Sequence, residues 1–115
     1  MNIEAFREYC ISKPCATEDF PFDETLLVFR VKKHIFACIS LDNPELATMK
    51  CDPEKAIELR DRYTAIEPAY HWNKKFWNQI WFNRDVDDEM LKQLIDHSFD
   101  EVVKKLPKKE QAEIK

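Results

Sequence analysis

A chain of 115 residues, 44% apolar and 35% charged, has the balance of a folded domain and not of a disordered segment. It is long enough for one domain, spanning residues 1–115, to bury a core without disulfides or a metal. A net charge of −4 argues against a strongly basic nucleic-acid binder, so any such site has to be local.

Ile3, Phe6, Tyr9 and Cys10 recur at helical spacing, which predicts a helix over residues 2–12 ending before Lys13-Pro14. The same N-terminus lacks the basic start and apolar stretch of a signal peptide, and a cytoplasmic location is expected. A loop follows through Phe20-Pro21-Phe22. Thr25–Val31 and His34–Leu41 are β-rich runs joined at Lys32-Lys33, a hairpin pattern, and Leu46–Cys51 reads as a third strand. These runs are strand-sized, so no membrane span is expected. Asp52-Pro53 supplies a cap and a first-turn proline for a second helix, with Ala56, Leu59 and Tyr63 facing inward.

The segment from Pro68 to Arg84 contains no acidic residue and holds all three tryptophans. It should provide one or two strands, most clearly Phe76–Phe82. If that run is extended, Phe76, Asn78, Ile80 and Phe82 share one face and Lys75, Trp77, Gln79 and Trp81 the other. Asn83-Arg84-Asp85 then turns the chain into a last helix from Asp87 to Lys105, with Val86 and Leu91 stapling its start. Met90, Leu91, Leu94, Ile95, Phe99 and Val102 give it a long apolar stripe. The expected fold is α+β. It has two layers, with helices on one face of a mainly antiparallel five-stranded sheet, in the order α-β-β-β-α-β-β-α, and the other face is left for a partner.

Glycine is absent from the chain. Phosphate-cradling loops, dinucleotide turns and nucleophile elbows need backbone without a Cβ, so the enzyme classes built on them are poor candidates. Tight turns must use Asn43, Asn83 and aspartates. Cys10, Cys15, Cys38 and Cys51 form no C-x-x-C pair, and His34, His71 and His97 have no zinc spacing, so no metal or cofactor is expected. Asp87 and Asp88 fall at a helix start, where capping accounts for them. No catalytic constellation emerges, and the domain is expected to be non-enzymatic.

Aromatic rings interleaved with Lys, Asn and His suit a surface that stacks on bases and pairs with phosphates. His71, Asn73, Lys74, Lys75, Trp77, Asn78, Trp81 and Arg84 are the candidate contact residues. Trp77 and Trp81 either form that contact surface or cover the edge of the helical layer. Lys104, Lys105, Lys108 and Lys109 read as a solvated end.

Three blocks carry a resemblance to a known family: Pro21-Phe22 with Val28-Phe29-Arg30-Val31 and Ile35-Phe36-Ala37; Lys50-Cys51-Asp52-Pro53-Glu54 with Leu59-Arg60 and Tyr63; and Pro68-Ala69-Tyr70-His71-Trp72-Asn73-Lys74-Lys75-Phe76-Trp77-Asn78. The chain resembles the YjbR/MmcQ family of small bacterial proteins along essentially its whole length. The resemblance implies a frataxin-like or secretion-chaperone-like fold with a double-wing shape, and DNA binding. With this acidic chain, binding would be weak and salt-dependent; the alternative is a protein-binding or self-associating module using the open sheet face. The family pattern has glycine where Cys15 and Ala69 stand, Met at Trp72 and a second His at Phe76. A mechanism needing two histidines there could not operate in this chain.

Overall fold

The computed structural model describes residues 1–114. Asn2 accepts a hydrogen bond from the Ala5 amide and starts helix α1, Ile3–Ile11, which buries Phe6 and Cys10. Four strands follow: β1 Ala16–Asp19, β2 Leu26–Val31, β3 His34–Ser40 and β4 Asn43–Lys50. Asp52 caps α2, Pro53–Arg62, through the Lys55 amide, with Pro53 in the first turn as expected. After β5, Ile66–Pro68, and β6, Trp77–Trp81, Asp87 caps α3, Asp88–Val103, through the Met90 amide. Val86 and Leu91, the expected staple, are both buried. A short α4, Lys108–Glu113, closes the described chain.

The strands form one sheet in the order β1-β2-β3-β4-β6-β5, every pairing antiparallel. Helices α1, α2 and α3 pack on one face. Phe6, Leu59, Ile95 and Phe99 from the helices join Phe29, Ile39, Met49 and Ile80 from the sheet in a single apolar cluster. The class is the expected α+β, but the sheet has six strands where five were expected, and α4 is additional. The unforeseen strand is β1. Ala-Thr-Glu-Asp has no apolar alternation, and its place comes from pairing with β2 and from the Arg7–Glu18 and Arg30–Asp19 ion pairs. Charge on a four-residue edge strand deters further pairing, and three-residue β5, ending at Pro68, does the same at the other edge.

Two bulges re-aim the sheet. Between β2 and β3, Phe29 pairs with Ala37 but Arg30 pairs with Ile35, so Phe36 is the extra residue. Phe36 and Ala37 are consequently both buried among the helices, which strict alternation forbids, and Ile35 joins Arg30 on the opposite face. A second irregularity at Ile39/Ser40 starts β4 at Asn43, earlier than expected.

Among the described residues four have positive φ: Cys15, Lys32, Lys33 and Asn83. Asn83 was expected in such a role. Lys32 and Lys33 form the two-residue β2–β3 turn with φ of 48° and 72°, the type I′ geometry that favours Asn-Gly. The left-handed region costs a residue with a Cβ roughly 1–2 kcal/mol, and a glycine returns about 0.4–1 kcal/mol of that through the freer unfolded chain. Lys33→Gly should therefore raise the stability by about 0.5–1 kcal/mol, read as a higher urea midpoint at unchanged slope.

All four cysteines are free thiols, and only Cys15 is exposed. Burial pushes the Cys38 thiol up to about 12 and Cys51 to about 11, and raises Cys10 as well. A thiol reagent should accordingly label Cys15 alone in the native protein and all four cysteines after unfolding. Native labelling of a second cysteine at a comparable rate would contradict the burial.

Candidate functional site

The aromatic segment is mostly a loop. Residues 69–76 connect β5 to β6, and only Trp77–Trp81 are strand. Hydrogen bonds fix the loop at intervals: Trp72 N–H donates to the Ala69 carbonyl, Phe76 N–H to the Asn73 carbonyl, and Cys51 N–H to the Phe76 carbonyl at 2.7 Å. Asn73 Oδ1 also accepts from the Lys75 amide, an Asx turn. Arg60, on α2, clamps the far end: its Nε donates to Asn78 Oδ1 at 2.6 Å, and the same guanidinium reaches the Lys74 carbonyl.

The loop folds across the sheet face away from the helices. Trp72 packs against Trp77 with ring centroids 4.6 Å apart and ring planes tilted by 37°. Val28 and Cys38 point to that face yet are buried, which the crossing loop accounts for. The face expected to stand open is thus partly occupied by the chain's own aromatic residues.

Two grooves flank the loop, and Trp72 borders both. The first, about 690 Å³, lies where the C-terminal end of α3 passes the end of the sheet. Arg30, Lys33, His34, Lys50 and Lys105 line it, with Trp72 and Trp77 as aromatic walls and no carboxylate. Phe76 stands beside it among three ammonium groups: Lys105 at 5.1 Å, Lys75 at 5.5 Å and Lys50 at 5.9 Å from its ring centroid. Lys50 also lies 5.3 Å from the Trp77 ring. Burial, reinforced by Lys105, holds the Lys50 ammonium below the usual lysine pKa. Among the described residues neither Lys50 nor Lys105 is ion-paired, whereas Arg30 is held by Asp19 and Lys104 by Glu101.

The second groove, about 450 Å³, runs along the same face toward the opposite end of the sheet. Thr25, Ser40, Asn43, Thr48 and Gln79 line it, with Tyr70 and His71 at its border. Its one carboxylate, Asp23, accepts from the Thr25 and Leu26 amides and from the Thr25 hydroxyl, which holds its pKa below the usual carboxylate range.

The eight candidate residues therefore separate. Trp77 lines the cationic groove but is itself buried against Trp72. His71 borders the neutral groove. Lys75 is exposed beside Phe76, Lys74 lies 5.3 Å from the Tyr70 ring, and Asn73 shapes the loop. Asn78 is 2% exposed and faces the helices, its amide engaged by Arg60 and by the Ala56 carbonyl, so it positions the loop from beneath. Trp81 donates to Glu67 and lies 4.5 Å from the Arg84 guanidinium; this pair borders neither groove. Lys105, read from sequence as part of a solvated end, instead meets Phe76. Lys50, Lys33, His34, Arg30 and Trp72 also escaped the sequence reading. The one available signal was Lys50, a lysine closing a strand just before a helix cap.

These features define a small α+β domain: a six-stranded antiparallel sheet, helices on one face and an aromatic loop folded over the other. The YjbR family model matches residues 11–101, and the chain belongs to the YjbR family. It is 28% identical over 108 residues to the uncharacterized protein YjbR of Escherichia coli K12, covering 93% of this chain and 92% of that one. It is equally similar, 28% over 113 residues, to the uncharacterized protein YbdF of Escherichia coli O157:H7, covering 97% and 93%. A Deinococcus radiodurans crystal structure, described as a DUF419 domain, superposes with a TM-score of 0.90 at 35% identity, covering 96% of this chain and 86% of that one. A Pseudomonas syringae crystal structure gives 0.73 at 27% identity, covering 87% and 97%. Among the described residues no helix is long and apolar enough to cross a membrane, and no cluster of three His, Cys, Asp or Glu residues is placed to hold a metal.

Proposed function

We propose that this domain is a non-enzymatic nucleic-acid-binding module and that the cationic groove beside Trp72 and Trp77 is its contact surface. DNA is the partner that the sequence resemblance implies. The observation that carries the reading is the unpaired Lys50 and Lys105 around the Phe76 ring, in a groove without a carboxylate. Lys50 and Lys105 repel each other; the buried Glu101, already paired with Lys104, offsets this only in part, and a phosphate between the two ammonium groups relieves the repulsion. The whole-chain charge of −4 keeps such binding weak.

Two or three phosphate contacts give a salt slope of roughly 0.9 per phosphate for a duplex and 0.7 for a single strand. Raising salt fourfold should then weaken binding by about seven- to fortyfold. The test titrates labelled DNA with wild type and with Lys50→Ala/Lys105→Ala at two salt concentrations, after circular dichroism has shown both to be folded. Wild-type affinity in the double variant, or affinity indifferent to salt, removes the reading. A protein partner then becomes the better assignment, since Phe20, Phe22 and Leu41 are exposed on the loops at the other end of the sheet.

A further inference from the structure

The two grooves differ in chemistry and meet at one indole. On the Lys50 side the polar lining is cationic; on the Thr48 side hydroxyls and amides stand among the apolar Leu26, Cys38, Ile39 and Leu46, and the Asp23 carboxylate is the only fixed charge. A phosphate suits the first and is repelled by the second. A nucleobase edge, neutral and rich in donors and acceptors, suits the second, whose volume of about 450 Å³ is typical of small-molecule sites. Trp72, half-buried with one neighbour packed at Trp77, offers a ring where the two grooves join. The cationic groove lies between the loop, the sheet and the C-terminal end of α3, and the neutral groove between the loop and the sheet; a base that enters the neutral groove has to be free of a complementary strand, which a single strand offers and a duplex does not.

From this juxtaposition we infer that the ligand is a single strand, with a phosphate held at Lys50 and Lys105 and the adjoining base lodged against Trp72 in the neutral groove. The inference rests on the nucleic-acid reading above and adds which form of nucleic acid is taken and where its base goes. Thr48 is the side chain placed to address the base: it lines the groove from β4, where its hydroxyl also lies in hydrogen-bonding reach of the Cys38 sulfur.

The experiment compares four probes by competition: an oligothymidylate of about twelve nucleotides, within the usual site sizes of single-strand binders; an abasic strand of equal length; a duplex of equal length; and thymidine monophosphate. Oligothymidylate should bind about tenfold or more tightly than each of the other three, and should quench the tryptophan fluorescence. Trp72→Ala should bring oligothymidylate down to the level of the abasic strand, about a tenfold loss or more, with a much smaller loss on the abasic strand itself. Because removing Trp72 can disturb the loop, Thr48→Val provides the second variant; it keeps the side-chain shape and should cost about two- to tenfold on oligothymidylate alone.

Equal affinity for the abasic strand, or a preference for the duplex, overturns the base site and leaves the phosphate reading standing. Equal affinity for thymidine monophosphate overturns the strand in favour of a free nucleotide. Binding of no probe sinks the nucleic-acid reading together with this inference.

Discussion

Phe6→Ala should destabilise the domain by about 3–5 kcal/mol, the range for removing a fully buried aromatic side chain. Phe6 has no exposed surface. Its ring meets Phe29 edge-on at 5.8 Å and Phe82 at 5.6 Å, so α1 is fastened to β2 and to the residue after β6 by one side chain. Against a total stability of about 5–15 kcal/mol, that loss is a large fraction of the whole. Thermal unfolding should move down by about 10–20 °C, and Phe6→Leu should recover more than half of the difference. A drop of only a few degrees for the alanine variant would mean that α1 contributes little to the core.

Asn78→Ala should cost about 2–3 kcal/mol, chiefly by leaving the Arg60 guanidinium without its side-chain acceptor. The expected signature is local as well as global. Arg60 also holds the Lys74 carbonyl, so the loop over the sheet loses part of its clamp, and proteolysis within residues 69–76 should accelerate. A double-mutant cycle with Arg60→Met separates this pair from general damage. The two changes together should cost less than the sum of the singles by about 1–2 kcal/mol, because each removes the partner that the other leaves unsatisfied. Additive costs would show that the Arg60–Asn78 contact carries no coupling.

Periodicity located the elements with long apolar patterns. The stripe of α3 and its Asp87 cap are local signals, as are the Asp52-Pro53 start of α2 and the β-rich runs of β2 and β3. Strand β1 lacked such a signal, because pairing and two ion pairs hold it and no apolar residue announces it. The site was half legible. Composition marked out the aromatic segment, but alternation placed Trp77 and Trp81 together on one face without revealing that Trp72 folds back upon it. Lys50 and Lys105 are fifty-five positions apart in sequence, and no one-dimensional pattern joins them. Asn78 was misleading for the opposite reason. Its polarity suggested contact, whereas a buried amide here serves to hold an arginine.

The sheet's guarded rims decide how anything can be recognised. Peptides often join a protein by lengthening its sheet, an attachment that reads backbone and tolerates many sequences. Here one rim is four residues carrying Glu18 and Asp19, and the other is three residues ending in a proline that has no N–H to give. Backbone-templated attachment is discouraged on both sides, and with it the runaway stacking of copies that exposed rims invite. Recognition is thereby directed to side chains on a face, where selectivity follows from which residues stand there.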